Sequence, residues 1–367
     1  MSPRRALAAG IAAVVVAGAT ACGRPPTNSA RGGGAASGSS EAFTKVYDQL
    51  NGLSGRQRTD RLAQLAKAEG KVVIYTSNNT LPKVLPAFEK AYGITTEVYR
   101  AQSQTVAQRA HSEAAAGRVG SDIVDNTAEY QLIEHDQGVL TEYRGPVRDT
   151  LPAIAKGVGF TANQYTIFAT SWNTDRVAAA DRPSSYEDLA DPRWKGRLLI
   201  DPRHDAMYYA LHEHFVGRQG WSEDRFRDLF REIGKNAVHM EGGTERANAV
   251  ASGEHLASLG SFVHEVEGAA KKGAPIDWRP AVQPMYVEPV GSALTANARH
   301  PAAALLFYEW VLTAGQAELA KLGRVTNAEM ARGGRLAGMR LLTIDYRRYV
   351  AERTRWEQEF HRLIGYR

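Results

Sequence analysis

From residue 41 to the C-terminus, short apolar runs alternate with stretches whose apolar residues recur at helical spacing. Two helical segments are expected between Glu41 and Gly70, broken at Gly52 to Gly55. Leu62, Leu65 and Ala66 share one face of the second, and Gly70 is placed to cap it. Val72-Val73-Ile74-Tyr75 reads as a strand buried in a parallel sheet, Thr76 to Thr80 as its polar exit loop, and Leu81 to Tyr92 as a helix with Pro82 in its first turn. The unit repeats with a strand at Thr95 to Tyr99, a polar loop at Gln102 to Thr105, a helix at Val106 to Ala116 and a strand at Asp122 to Val124. Tyr165 to Ala169 reads as a strand with no helix directly behind it, because Trp172-Asn173-Thr174 reads as a turn, so the chain is expected to cross there. Strands at Leu198 to Ile200, Val238 to Met240 and Leu256 to Leu259 then alternate with helices at Ala206 to Phe215, Glu223 to Ile233 and Glu245 to Ala251. Met285 to Val290 carries the chain back, and helices at Pro301 to Ala314 and Tyr346 to Leu363 complete it. This alternation predicts an α/β sheet, whose ligands sit beyond the carboxyl ends of its strands.

The first forty residues follow a different pattern. Arg4 and Arg5 precede an uncharged run from Ala6 to Ala21, and Ala19-Thr20-Ala21 are small enough for a signal peptidase. As a helix, that run would be about 24 Å long, short of a hydrocarbon core of roughly 30 Å, so residues 1–21 are expected to be a cleaved signal peptide. Ala19-Thr20-Ala21-Cys22 resembles a bacterial lipobox with Ala19 in the place of the usual Leu, and the same residues also fit the A-x-A pattern of plain secretion. Cys22 is the sole cysteine. Plain secretion would leave it as an unpaired thiol in an oxidising compartment, which favours lipidation of Cys22 and anchorage of the protein outside the cytoplasm. Residues 22–40, rich in Gly, Ser and Pro, bury too little apolar surface to offset ordering and are expected to be a flexible tether.

Charge and motifs exclude several classes. The formal charge of +5 falls to +3 when Arg4 and Arg5 leave with the signal, and basic residues elsewhere are interleaved with acids, as in Arg225-Phe226-Arg227-Asp228, so no nucleic-acid partner is expected. There is no G-x-S-x-G elbow, H-E-x-x-H helix or Gly-rich phosphate loop, and the one cysteine is assigned to the anchor, so no enzyme activity is expected.

Five segments, in order, carry a family resemblance: Glu69 to Ser77, Ser121 to Asp125, Trp172 to Thr174, Asp191 to Leu198, and Ala298 to Pro301. Across Leu62 to Arg332 the chain resembles an extracellular solute-binding protein of an ABC importer, within the group related to ferric-ion-binding proteins. The resemblance implies an α/β, two-lobed type 2 periplasmic-binding fold with two crossing hinge segments, mapped near Tyr165 to Trp172 and Met285 to Val290. On this mapping residues 41–168 form the first lobe with its N-terminal helices, 169–287 the second lobe, and 288–367 return to the first lobe with the C-terminal helices. The implied partners are a small molecule or metal complex and an ABC permease; the implied protein is a monomer without a cofactor. A ligand sensor reporting to a membrane kinase would use the same fold.

A polar loop running into a helix presents unpaired N–H groups and the positive end of the helix dipole, which suits an anion. The first-lobe candidates are Thr76, Ser77 and Asn78, then Ser103 and Thr105, then Asn126; those of the second lobe are Arg203 and His204, Thr244, and Ser261. Each of these residue types also favours caps and turns. Arg203 is the leading candidate, since a guanidinium can grip a carboxylate or phosphate bidentately; its alternative is an ion pair with Asp201 or Asp205. Iron(III) binders of the group commonly use a first-loop His, a Glu after the third strand and a Tyr pair after a late strand. Here those positions fall at Asn78 or Asn79, near Thr127, and near Phe262-Val263, so no protein metal site is expected, and an iron(III) complex or a small organic anion remains as cargo. Tyr208-Tyr209 lies in a helix instead, where its rings are expected to cover core edges, and the i, i+2 spacing of His212 and His214 separates their faces.

Overall fold

The computed structural model describes residues 41–118 and 120–367; the expected signal peptide, Cys22 and the tether lie outside them. The chain runs α1 (Glu41–Leu50), α2 (Gly55–Glu69), β1 (Lys71–Thr76), α3 (Leu81–Tyr92), β2 (Thr95–Arg100), α4 (Ser103–Ala115), β3 (Ile123–Thr127), α5 (Ala128–Asp136) and β4 (Leu140–Thr141). A long strand, β5 (Thr161–Asn173), leads into β6 (Leu198–Ile200), α6 (Asp205–Phe215), α7 (Glu223–Asn236), β7 (Ala237–His239), α8 (Gly243–Ala251), β8 (Ala257–Phe262), α9 (Val263–Ala270) and β9 (Ile276–Asp277). A second long strand, β10 (Met285–Thr295), returns the chain to α10 (Pro301–Leu312), α11 (Gly315–Lys321), α12 (Asn327–Arg332), β11 (Leu341–Leu342) and α13 (Tyr346–Ile364).

The strands form one sheet in the order β2-β1-β3-β10-β5-β8-β6-β7, with β4 and β11 on β10 and β9 on β5. β1 is parallel to β2 and β3, and β6 is parallel to β7 and β8. The two long strands join these parallel sets. β10 pairs antiparallel with β3 through Val290–Leu294 and with β5 through Tyr286–Ser292, while β5 pairs antiparallel with β8 through Phe168–Trp172. These are the two crossing segments, and the expected lobe limits at 168/169 and 287/288 fall inside them. At the bulge between Val290 and Gly291, a Cβ on Gly291 would stand 2.2 Å from the Thr161 carbonyl oxygen, so the strands approach there only because the residue is glycine.

Helices cover the sheet on both sides. On the first lobe α2, α3 and α10 pack around Leu62, Phe88, Phe307 and Trp310, with Arg58 paired to Glu309 at 2.6 Å inside the cluster. On the second, Tyr208, Tyr209, Phe226 and Phe230 of α6 and α7 pack against Trp356 and Phe360 of α13. Of the C-terminal helices, α13 thus lies mainly against the second lobe and touches the first through Arg353 and Arg347. Its apolar stripe of Tyr349, Trp356, Phe360 and Leu363 is buried against the second lobe, each large side chain gaining about 1.5–3 kcal/mol from leaving water. Asp345 caps its start by accepting from the Arg347 and Arg348 amides, and Gly365 ends it in the left-handed conformation.

Candidate functional site

A cleft of about 1040 Å³ opens where the carboxyl ends of β1, β2, β3, β6, β7 and β8 face one another. Thr166 and Phe168 of β5 and Tyr286, Glu288 and Val290 of β10 form its floor. The first turns of α4, α5, α6, α8 and α9 reach its walls through Ser103, Glu129, Asp205, Glu245 and Glu265. Helix N-termini converging on one cavity give it a positive backbone field, and the four acids in those turns partly offset it.

Seven of the expected site residues line this cleft: Ser77, Asn78, Ser103, Thr105, Arg203, His204 and Thr244. Thr76, Asn126 and Ser261 do not; they are buried behind it. The strands run further than expected, so Asn126 and Ser261 lie in β3 and β8 rather than in loops, and α4 starts at Ser103 rather than after Thr105. Thr76 Oγ1 donates to Asp125 at 2.9 Å, and Asp125 also accepts from Asn163 at 2.9 Å and Ser292 at 2.8 Å, which ties β3 to both crossing strands. Asn126 Nδ2 donates to the Ser103 carbonyl and to Glu134, each at 3.1 Å, and fixes the start of α4. Ser261 and Ser171 share a hydrogen bond of 2.7 Å between β8 and β5.

On the second-lobe wall Arg203 is already engaged. Its Nε donates to Asp201 Oδ1 at 3.0 Å and its Nη2 to Asp201 Oδ2 at 2.9 Å, while Nη1 reaches Gln102 of the opposite wall. The buried Arg246 also pairs with Asp201 and donates to the Gly260 carbonyl at 3.1 Å. Burial works against the Asp201 carboxylate, yet His204, Arg203 and Arg246 hold it well below the usual range. Burial, with Arg246 and Arg203 beside it, pushes the His204 imidazole down to about 3 despite Asp201, so it is neutral at physiological pH. Gly260 makes room for that ring: its φ is +75°, and a Cβ there would lie 2.6 Å from His204 Nδ1.

On the floor the charges are not closed in this way. Arg324 follows α11 past Gly323, which has a φ of +77°. The Tyr165 amide clips the chain to β5 by donating to the Val325 carbonyl at 2.9 Å. The buried guanidinium donates to Gln164 Oε1 at 2.9 Å, to Thr166 Oγ1 at 3.1 Å and to His264 Nε2, all uncharged acceptors, and among the described residues no carboxylate lies within ion-pair distance of it. Burial lowers its pKa to about 10, which leaves it charged at neutral pH. Glu288 lines the same floor, and among the described residues no donor sits on its carboxylate; burial and the neighbouring Glu129 and Asp205 push it up to about 8. Sequence reasoning singled out neither residue. Arg324 lies outside every expected strand and loop, and Glu288 sits inside a strand noted only for its crossing.

Further direct contacts bridge the walls besides that of Arg203. Asn79 Nδ2 donates to Glu265 Oε1 at 3.0 Å, and α13 reaches the first lobe through Arg353, whose Nε lies 3.0 Å from Glu129 and whose Nη2 donates to the Tyr130 hydroxyl at 2.8 Å. Among the described residues no group of three or more His, Cys, Asp or Glu side chains is placed to hold a metal ion.

Two α/β lobes that share two long strands, with a polar cleft between them, define the type 2 periplasmic-binding fold of ABC-importer receptors. Residues 83–331 match the bacterial extracellular solute-binding proteins, and the chain belongs to that family. A Fe(3+)-binding periplasmic protein of Serratia marcescens is 21% identical over 264 residues, which are 68% of this chain and 75% of that protein. The structure of AfuA from Actinobacillus pleuropneumoniae, with exogenous fructose-6-phosphate bound, superposes with a TM-score of 0.68 at 25% identity over 81% of this chain and 99% of its own. Iron-bound HitA from Pseudomonas aeruginosa gives a TM-score of 0.64 at 16% identity over 79% and 99% of the two chains. All three are binding proteins. The family is extracytoplasmic, and among the described residues no helix is long and apolar enough to cross a membrane.

Proposed function

We propose that this chain is the membrane-tethered receptor of an ABC importer, which takes a small polar organic solute with an anionic group into the cleft and presents it to the permease. The observation that carries this reading is the buried Arg324 guanidinium, without a direct ion pair among the described residues, on the floor of a cleft of about 1040 Å³, a volume suited to a small solute. Ser77, Asn78, Ser103, Thr105, His204 and Thr244 supply polar wall contacts, and Arg203 stands at the wall as a clamp between lobes. Asn78 Nδ2 and His204 Nδ1 make no hydrogen bond with the described residues, which is consistent with a site completed by solute or water. Closure occurs about β5 and β10, the only long strands among the described residues that belong to both halves. The lipid on Cys22 keeps the receptor near its permease, so docking draws on a high local concentration; Cys22→Ser should move the protein from the membrane to the soluble fraction.

A second reading, delivery of an iron(III) complex, is favoured by the likeness to the Serratia Fe(3+)-binding protein. Such cargo would enter with its chelator. Both readings are tested by the melting temperature of the full chain against phosphosugars, phosphonates, dicarboxylates, polyamines, thiamine, and iron(III) with and without citrate. A solute at a thousandfold over its Kd adds about 4 kcal/mol to the native state and should raise the melting point by several degrees. A flat response across the panel from a folded, solute-free protein would refute the receptor reading.

A further inference from the structure

The carboxylates that line the cleft are not equivalent. Glu129, Asp205, Glu245 and Glu265 lie in first turns of helices, where the helix dipole favours an acid whether or not a solute is present. Asp201 and Glu241 pair with Arg203, and Glu357 is half-buried on α13. Glu288 has none of these reasons to be there. It stands on a strand, in the floor, among Phe168, Tyr286 and Val290, without a hydrogen-bond donor from the described chain. A carboxylate in such surroundings is destabilised unless something neutralises it.

Its position relative to Arg324 is fixed by the sheet. Glu288 is directly opposite Thr166 in the β10–β5 register, and Thr166 Oγ1 accepts from Arg324 Nη2 at 3.1 Å. Directly opposed residues place their Cβ atoms about 4.5–5.5 Å apart, so the carboxylate and the guanidinium flank one threonine. They do not meet, because Gln164, Thr166 and His264 hold the guanidinium in place. The floor thus offers one fixed cation and one carboxyl group, which lack a salt partner among the described residues and stand on either side of Thr166.

We infer that the solute is a zwitterion, whose ammonium group meets Glu288 and whose carboxylate, phosphonate or phosphate meets Arg324. This rests on the solute-receptor reading above. It also predicts proton release. In the empty cleft Glu288 is partly protonated; it faces Glu129 of α5, Asp205 of α6, Arg324, and the Tyr286 and Tyr346 phenols. An ammonium in contact favours the carboxylate and drives that proton off.

The test is calorimetric titration of the full chain with two matched sets: glucosamine 6-phosphate, glucose 6-phosphate and glucosamine; and 4-aminobutyrate, butyrate and butylamine. On at least one scaffold the zwitterion should bind at least about tenfold more tightly than either singly charged analogue, the scale of one charge-assisted hydrogen bond. Glu288→Gln should remove the advantage over the anion-only analogue and abolish the proton release seen by comparing phosphate and Tris buffers, whereas Glu288→Asp should keep the ranking. A singly charged analogue that binds as tightly as the zwitterion would overturn the inference and leave the receptor reading standing. Failure of both zwitterions would also overturn it, and the receptor reading would fall with it only if the wider melting panel were flat as well.

Discussion

The wall of the cleft at Asp201 and its floor at Thr166 each hold a buried arginine, and the two are satisfied differently. Arg246 meets a carboxylate and a carbonyl, and Arg203 closes the same set from the exposed side. Arg324 meets an amide oxygen, a hydroxyl and an imidazole, with no carboxylate within ion-pair distance among the described residues. A closed ion cluster is stable without a solute and has little to gain from one. An open guanidinium keeps its charge in reserve, and under the proposed function that difference separates a structural wall from a binding floor.

The comparison can be broken most forcefully at the wall. Asp201→Ala leaves Arg246 buried and unpaired, so it should destabilise the fold by about 3–5 kcal/mol in a urea titration; a loss below about 1 kcal/mol would mean that the cluster does not hold the wall. A second test uses Glu134, which is fully buried behind the cleft with Asn126 as its only side-chain hydrogen-bond donor among the described residues, and is pushed up to about 8 by burial. The unfolded chain releases this proton near pH 4.5 and the folded protein near 8. Its stabilising contribution is therefore complete below about 4.5 and lost as pH rises through that window. Glu134→Gln should flatten the fall in stability over this range by up to about 1.4 kcal/mol per pH unit, and an unchanged pH profile would show that the carboxyl titrates normally.

Smaller effects sharpen the contrast. Gly260→Ala imposes a positive φ on a residue with a Cβ and crowds His204, so a loss of about 1–2 kcal/mol and a lower melting temperature are expected. Arg347→Ala removes an exposed pair with Asp136 at 3.2 Å and should change stability by less than about 0.5 kcal/mol, with any effect disappearing in high salt. A large loss there would assign α13 a role in joining the lobes that its exposed charges do not explain.

Much of the architecture was legible as alternation. Val72 to Tyr75, Leu81 to Tyr92 and Leu198 to Ile200 carry strong local patterns, and the structure has strands or helices there with little change at their ends. The long strands were underestimated because β5 is buried along its whole length and carries Asn163, Gln164, Thr170 and Ser171, polar residues that read as breaks. Their burial is made possible by partners distant in sequence, such as Asp125 and Ser292 for Asn163. The packing of α13 on α6 and α7 was hidden for a similar reason: its stripe announces a buried face but not what buries it. Within the site, the exit loops brought seven expected residues to the cleft, since strand ends dictate where loops go. Arg324 and Glu288 were not legible, because a register between β5 and β10 and a bridge at Val325 bring them to the two sides of Thr166.

The most direct measurement takes the solute giving the largest melting rise and titrates it calorimetrically against Arg203→Ala and Arg324→Lys, with folding of each checked by its melt. The account predicts that Arg203→Ala stays within about threefold of the parent affinity while Arg324→Lys, which keeps the charge but loses the fixed fork, weakens binding at least about tenfold. The reverse order would place the solute on the Asp201 wall and contradict the account.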